Sequence, residues 1–66
     1  MNHGNVKWFD SRRGIGAIEP HEGDDVIVEL DSLRRSGIES LKEGQLVAFD
    51  MAWRAGRSLA EDVKVL

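Results

Sequence analysis

Short apolar runs, separated by turns rich in glycine or charge, follow one another along the whole chain and predict five β-strands. The first three are expected at residues 6–10, 15–19 and 25–30, and the last two at 45–52 and 58–66. Side chains alternate between the two faces of a strand. In the third strand Val26, Val28 and Leu30 therefore share one face. Several short strands with turn signals between them favour a small barrel.

The predicted helical content is one short turn. Asp31 and Ser32 have side chains that cap helices, and they begin the turn predicted for residues 32–35. Residues 38–44 form a longer connection to the fourth strand, from which Val47, Phe49 and Met51 are expected to face the core. The last hairpin loop is predicted at residues 54–57.

Two glycines mark the beginning of the second strand. Gly14 closes the turn that starts at Ser11, and it permits the positive φ that many turns need. Gly16 lies inside the strand, where a missing side chain indicates a strongly curved sheet or a close approach of another backbone. No helix follows the pair, so curvature explains it better than a phosphate-binding loop does.

Composition indicates one small domain over residues 1–66. A domain of this size buries only about 60% of the surface that its unfolded chain exposes, so its core is thin. The chain has no cysteine, which excludes disulfides and thiolate metal sites and fits a cytoplasmic location. We find neither a secretory signal nor an apolar run long enough to cross a membrane, so no membrane role is expected.

The distribution of charge matters more than its total. The formal net charge is −3 at pH 7, whereas nucleic-acid binders gain much of their affinity by neutralising phosphates with Lys and Arg. Residues 19–31 carry acidic groups and no Lys or Arg. Basic residues flank this run at Arg12, Arg13, Arg34 and Arg35. A local basic surface of this kind is compatible with an acidic total.

Several short motifs occur in a recognisable order. They are Val6-Lys7-Trp8-Phe9; Gly14-x-Gly16 with Ile18 and Pro20; Asp25-Val26-x-Val28 with Ser32; Leu41-x-Glu43-Gly44-Gln45 with Val47 and Phe49; and finally Ala60 and Val63. From Gly4 to Leu66 the chain thereby resembles the cold-shock proteins. The resemblance implies an all-β fold, a closed five-stranded antiparallel barrel of the OB-fold type. It also implies binding of single-stranded DNA or RNA, as an RNA chaperone or a regulator of transcription or translation.

The chain departs from this family at the residues that stack on bases. The family usually has Lys-Gly-Phe-Gly-Phe-Ile on the second strand and Val-Phe-Val-His-Phe on the third. This chain has Arg-Gly-Ile-Gly-Ala-Ile and Val-Ile-Val-Glu-Leu. The changed positions are Ile15, Ala17, Ile27, Glu29, Leu30 and Ile38. Each base–aromatic stack is worth about 1–3 kcal/mol, so we expect weakened or re-specified binding.

The candidate nucleic-acid interface combines these positions with the retained aromatic residues and nearby cations. It comprises Lys7, Trp8, Phe9, Arg12, Arg13, Ile15, Ala17, Ile27, Glu29, Leu30 and Ile38. Trp8 is expected to be the main stacking residue, whereas a core position is equally plausible for Phe9. Arg12 and Arg13 are also consistent with solvated turn residues. Arg34 and Arg35 are also consistent with cations at the carbonyl end of a helical turn.

The same substitutions allow a second function of a different class. The aliphatic residues at the changed positions form a patch of the kind that binds a protein partner or a second copy of the chain. For Trp53, which is not a family position, we favour packing on the barrel rim. The alternative is that it replaces a lost stacking ring beside Arg54 and Arg57.

No enzymatic chemistry is suggested by the sequence. Cysteine is absent, no Ser/His/Asp arrangement is indicated, and the carboxylates fall in turns where solvation explains them. His3 and His21 lack partners at ligand spacing, so we expect no metal. We therefore expect no enzyme, no small-molecule substrate and no cofactor.

Overall fold

Five strands enclose one core in the computed structural model, which describes residues 1–66. The strands are β1 (Asn2–Asp10), β2 (Ile15–Pro20), β3 (Val26–Glu29), β4 (Leu46–Arg54) and β5 (Arg57–Val65), and one short helix, α1 (Leu30–Arg35), follows β3. They close into a barrel in the order β1-β2-β3-β5-β4. All neighbours are antiparallel except β3 and β5, which pair in parallel. The predicted five-stranded barrel is confirmed.

The core is entirely apolar. Phe49, Ile18 and Leu33 are its largest fully buried side chains, and no polar or charged residue is buried. Val26 and Val28 are fully buried too, as the alternation in the third strand predicted. Because the core has no polar groups to satisfy, apolar burial and the backbone hydrogen bonds of the strands carry its stability.

Helix α1 begins earlier than predicted, and this changes the position of Leu30. The Leu30 N–H donates to the Gly14 carbonyl (3.0 Å), and Leu30 is the first residue of the helix rather than the end of β3. No side chain caps the helix. Instead the Ser32 hydroxyl donates to the Ala60 carbonyl of β5 (3.1 Å). The prediction that Asp31 and Ser32 cap this turn is wrong, because a tertiary hydrogen bond uses the Ser32 hydroxyl.

The C-terminal part of β4 pairs with β5 but not with β1. Pairing with β1 ends where Asn2 meets Phe49, so β4 pairs only with β5 from Asp50 to Arg54. Met51 faces the same way as its partner Ala60 but is 48% exposed, since no strand covers it. The prediction that Met51 belongs to the core is therefore wrong.

The pairing of β4 with β5 is irregular at one point. The register with β5 shifts between Ala48 and Asp50, and Asp62 on β5 has a φ of 50°. A bulge of this kind inserts an extra residue and disturbs the alternation of faces. The extra residue lies on β5, so β4 keeps its alternation: Val47 and Phe49 belong to the core, whereas Ala48, although buried, pairs with the exposed His3 and Lys64.

The first strand is longer than the sequence predicted. It begins at Asn2 rather than at Val6 because residues 2–5 pair with β4. At the other hairpin, the strands extend to Arg54 and Arg57, which leaves a turn of only Ala55 and Gly56. No helix in the structure combines the length and the apolar character required to span a membrane.

Candidate nucleic-acid interface

A tight turn holds two arginines at the end of the β1–β2 pair. Asp10 Oδ1 accepts hydrogen bonds from the backbone N–H groups of Arg12 (3.0 Å) and Arg13 (3.3 Å). The Gly14 N–H donates to the Asp10 carbonyl (2.9 Å). Both arginines are exposed and neither forms an ion pair. Their guanidinium groups are thus available to an anionic ligand.

The outer face of the barrel carries a row of residues across its strands. Trp8 pairs with Ala17, Ala17 with Ile27, and Ile27 with Leu59 of β5. Directly paired residues share a face. Trp8 is 40% exposed, whereas Ala17 is 4% and Leu59 8% exposed. Trp8 is therefore the one aromatic ring of this row, and Ala17 beside it offers a ligand almost no surface.

A second row on this face is acidic at both ends. Ile15 of β2 pairs with Asp10 on one side and with Glu29 on the other. Ile15 is half-buried and Glu29 is exposed. A phosphate that passed over β3 would approach the Glu29 carboxylate and be repelled by it.

Phe9 lies on the core side of the sheet. It pairs with Gly16, and Gly16 pairs with the fully buried Val28. A Cβ atom added at Gly16 would lie 2.6 Å from Phe9 Cδ1 and from the Trp8 carbonyl oxygen. Phe9 is partly buried and packs against the core. The geometry thus favours the core position for Phe9 and explains why residue 16 has no side chain.

The remaining aliphatic positions are largely covered. Ile38 packs against the core. Leu30 sits beside Gly14, whose added Cβ would lie 3.5 Å from Leu30 Cβ. Ile27 is half-buried on the outer face. No residue of the predicted aliphatic patch is among the exposed large hydrophobic side chains.

Lys7 is held by an acidic partner. Its Nζ lies 2.8 Å from Asp25 Oδ2. The hydrogen bond to Asp25 and the charge of that carboxylate raise the pKa of Lys7 above its ordinary 10.5, with a smaller contribution from Glu19. Lys7 is therefore a charged group that a phosphate must share with Asp25, rather than a free cation.

The most exposed aromatic ring lies outside the predicted interface. Trp53 is 72% exposed on the unsupported part of β4, so the prediction that it packs on the rim is wrong. Nearby, Arg54 Nη2 lies 2.8 Å from Glu61 Oε1, whereas Arg57 forms no ion pair. The sequence identified this ring and its arginines, but its exposure follows from the early end of the β1–β4 pairing.

His3 and His21, which are far apart in the sequence, lie side by side. The His21 N–H donates to the His3 carbonyl (3.0 Å), and the ring centroids are 6.4 Å apart. Their spacing in the sequence does not reveal this proximity, which the β1–β2 pairing creates. Even so, no group of three or more His, Cys, Asp or Glu residues is arranged to hold a metal ion.

A small closed barrel that presents an exposed tryptophan and free arginines defines a β-barrel of the oligonucleotide-binding class. Residues 2–66 match the protein family described as the 'Cold-shock' DNA-binding domain. The chain is 42% identical over 64 residues to the cold shock protein CspC of Bacillus subtilis, with 97% of each chain covered. It is 42% identical over 67 residues to the cold shock protein CspA of Rhizobium meliloti, again with 97% of each covered.

A third relative is the cold shock-like protein of Thermotoga maritima, to which the chain is 43% identical over 63 residues. The aligned region covers 96% of each chain. The chain therefore belongs to the cold-shock domain family. The family consists of nucleic-acid-binding proteins and is not enzymatic.

Proposed function

We propose that this protein is a single-domain, cytoplasmic binder of single-stranded RNA or DNA with weakened or re-specified binding. It would act as an RNA chaperone or in the regulation of transcription or translation. The observation that carries the proposal is the exposed Trp8 on the outer face of β1, in a row that holds no other aromatic ring. One stack is worth about 1–3 kcal/mol, so this face supports binding but lacks the summed affinity of a full aromatic surface.

The cations around Trp8 support contact with a phosphate backbone. Arg12 and Arg13 are exposed and unpaired beside the end of β1. Against them stand Glu29 on the same face and the Asp25 carboxylate that holds Lys7. With few phosphates neutralised, the affinity should be modest and should fall with added salt.

A protein partner or a second copy on the same face is the less favoured proposal. It requires an exposed aliphatic patch, and the aliphatic side chains at the changed positions are buried or half-buried. Nucleic acid needs less apolar area, because a single ring and a few cations suffice for a weak contact.

Titration with oligothymidine and oligouridine at low salt tests the proposal. A Trp53→Phe background leaves Trp8 as the only tryptophan, so quenching of its fluorescence reports directly on this face. We expect quenching and weaker binding than by a family member with the full set of aromatic residues, measured in parallel. Equal or tighter binding by this chain would refute the weakening.

The duplex of the same oligothymidine with an oligoadenine of equal length serves as the control. Stacking on Trp8 requires an unpaired base, so the duplex should bind less tightly than the single strand. Size-exclusion chromatography of the free protein tests the alternative, and a dimer disrupted by Ile27→Asp would favour it over nucleic-acid binding on this face.

A further inference from the structure

The C-terminal part of β4 has an edge to which no strand is paired. Pairing with β1 ends where Asn2 meets Phe49, so the residues from Asp50 to Arg54 pair with β5 on one side only. None of the backbone hydrogen bonds in turns and loops involves these residues. We call this stretch, residues 50–54, the open edge of β4. Free N–H and C=O groups on such an edge can pair with a further strand.

The hairpin determines which backbone groups point to the open edge of β4. The register with β5 is unbroken up to the pair of Arg54 and Arg57, which flanks a two-residue turn. In a hairpin of this kind the flanking pair exchanges both backbone hydrogen bonds, and alternate residues direct their groups to the other edge. The N–H and C=O groups of Met51 and Trp53 therefore point away from β5. A new neighbouring strand would bond to these two residues.

The other incompletely paired strand, β1, is protected against such pairing. Beyond Val6 it pairs only with β2, and its register shifts between Val6 and Trp8. Lys7 lies in this bulge and is held by Asp25 at 2.8 Å. Bulges and charged side chains are devices that prevent edge strands from associating. The open edge of β4 contains neither a bulge nor a proline.

On the outer face of the hairpin, like charges stand opposite each other. Asp50 pairs with Glu61, and Arg54 pairs with Arg57. Directly opposed like charges destabilise a sheet. Arg54 Nη2 reaches Glu61 Oε1 at 2.8 Å, which leaves Asp50 and Arg57 without an ion pair. The hairpin is thus acidic at one end and basic at the other, so an antiparallel second hairpin beside it would bring opposite charges together.

The other face of the open edge is apolar. Met51 and Trp53 are two residues apart and therefore share a face, and they are 48% and 72% exposed. In an antiparallel pair of open edges centred at Ala52, Met51 of each copy would lie opposite Trp53 of the other. A methionine sulfur packs favourably against an aromatic ring. The pairing would also remove both side chains from water, which is favourable because they are apolar.

We propose that the open edge of β4 is a self-association surface, on which a second copy of this chain adds its own β4 antiparallel around a two-fold axis at Ala52. In this register Asp50 lies opposite Arg54 of the second copy, and the symmetry repeats the contact. Met51 and Trp53 of the two copies exchange the backbone hydrogen bonds. A register centred at Met51 would run into β1, and one centred at Trp53 would run into the turn.

The proposed contact is small, and this sets its expected strength. Residues 50–54 of each copy are too few for a large interface, and interfaces below about 1,200 Å² are typical of transient complexes. We therefore expect a monomer at micromolar and a dimer at millimolar concentration. The inference does not depend on the proposed function, because no nucleic acid takes part in it.

Two charge reversals test the inference by sedimentation velocity at low salt. Asp50→Arg places two arginines opposite each other across the two-fold axis, and Arg54→Asp places two aspartates there. Each variant alone should associate about fivefold more weakly or less still, since both symmetric contacts become repulsive. An equimolar mixture of the two variants should recover association, because every arginine then meets an aspartate. The double variant, which carries both reversals, should also recover it.

Matched controls separate the contact from general effects of charge and folding. Asp24→Arg makes the same charge change in an exposed loop and should leave association within about twofold. Glu61→Gln removes the ion pair with Arg54 as Arg54→Asp does, but it leaves the arginine free and should not weaken association. In a Trp8→Phe protein, Trp53 is the only tryptophan, so its emission should shift to shorter wavelength as concentration rises. Thermal melting confirms that each variant remains folded.

The outcomes decide between this surface and others. A protein that stays monomeric at millimolar concentration would overturn the inference. So would association that persists in both single variants, or association lost in each and not recovered in the mixture. A dimer that Ile27→Asp disrupts and the charge reversals do not would use the β1–β3 face instead. None of these results changes the proposed function, which titration with oligothymidine tests separately.

Discussion

The β1–β3 face and the β4–β5 hairpin differ in the exposure of their tryptophan rings. On the face, Trp8 lies in the part of β1 that pairs only with β2, and the next positions in its row are Ala17 and Ile27, which have no ring. On the hairpin, the end of β4 likewise pairs only with β5, and it carries Trp53 at 72% exposure. Beside Trp8 the β1–β3 face is aliphatic and partly acidic, whereas the hairpin carries an exposed tryptophan and two arginines. Family membership thus preserves the barrel but does not specify which surface holds the rings.

The largest effect is expected from Gly16→Ala, which should lower the stability of the fold by a steric clash beneath the β1–β3 face. The new Cβ would lie 2.6 Å from Phe9 Cδ1 and from the Trp8 carbonyl oxygen, which is backbone. Overpacking of this kind costs about 1–3 kcal/mol, a large share of the stability of so small a domain. Chemical denaturation measures it. Met51→Ala on the hairpin should stay within about 0.5 kcal/mol, and an equal loss there would break the comparison.

Trp8→Ala should remove most of the binding to the face while the fold persists. The change deletes the only exposed tryptophan or phenylalanine ring on β1–β3, and the loss of one stack corresponds to about 1–3 kcal/mol. Titration of short oligothymidines in the Trp53→Phe background by calorimetry measures it, since no tryptophan remains for fluorescence. Unchanged affinity would place the short-strand site elsewhere.

Ile27→Phe should restore part of the missing stacking surface. Ile27 is half-buried on the outer face, in the row that starts at Trp8. A phenylalanine there should tighten binding by about 1 kcal/mol, the lower end of the value of a stack. Ile27→Leu is the control of similar volume without a ring. If both variants bind alike, lost stacking is not what weakens this face.

Glu29→His should tighten binding by about 1 kcal/mol or less, because exposed charges are screened by water and salt. Glu29 is exposed on β3 and pairs with Ile15. The gain should be larger at low than at high ionic strength, which titrations at two salt concentrations measure. Glu22→His changes the same charge in an exposed loop and should have less effect. No difference between them would mean that nucleic acid does not pass near Glu29.

The smallest effect concerns Lys7 and Asp25. Because Asp25 raises the pKa of Lys7 above 10.5, the contact stabilises the fold fully below pH 10.5. The contribution is lost as the pH rises through the higher folded pKa. Asp25→Asn should return the Lys7 pKa toward 10.5, which NMR titration of the Lys7 ammonium measures. It should also strengthen low-salt binding slightly by freeing the cation. A pKa that stays raised would show that Asp25 is not the cause.

Much of the barrel was predictable from the sequence because its signals are local. The alternation of apolar residues predicted that Val26 and Val28 lie in the core. The order of the motifs along the chain indicated the five strands that the structure contains. The burial of Phe49 was predictable for the same reason. By contrast, the start of α1 at Leu30 depends on a hydrogen bond to Gly14, a residue from a different turn.

The candidate site was only partly predictable. The resemblance to the family's motifs implied that most stacking positions are replaced in this chain and that Trp8 remains. It did not show that Phe9 turns toward the core, since that depends on the pairing of Phe9 with Gly16. Nor did it show that Asp25 holds Lys7, because these residues meet only across the sheet.

By itself the sequence determined the strand count, the apolar core and the chemistry available at each position, since these depend on residue type and spacing. Only the tertiary structure decided which groups are exposed and which meet. Trp53 is open to solvent on a part of β4 that pairs only with β5. His3 and His21 are neighbours because two strands pair there. Exposure and contact depend on strand register, which joins residues far apart in the chain and leaves no mark on either segment alone.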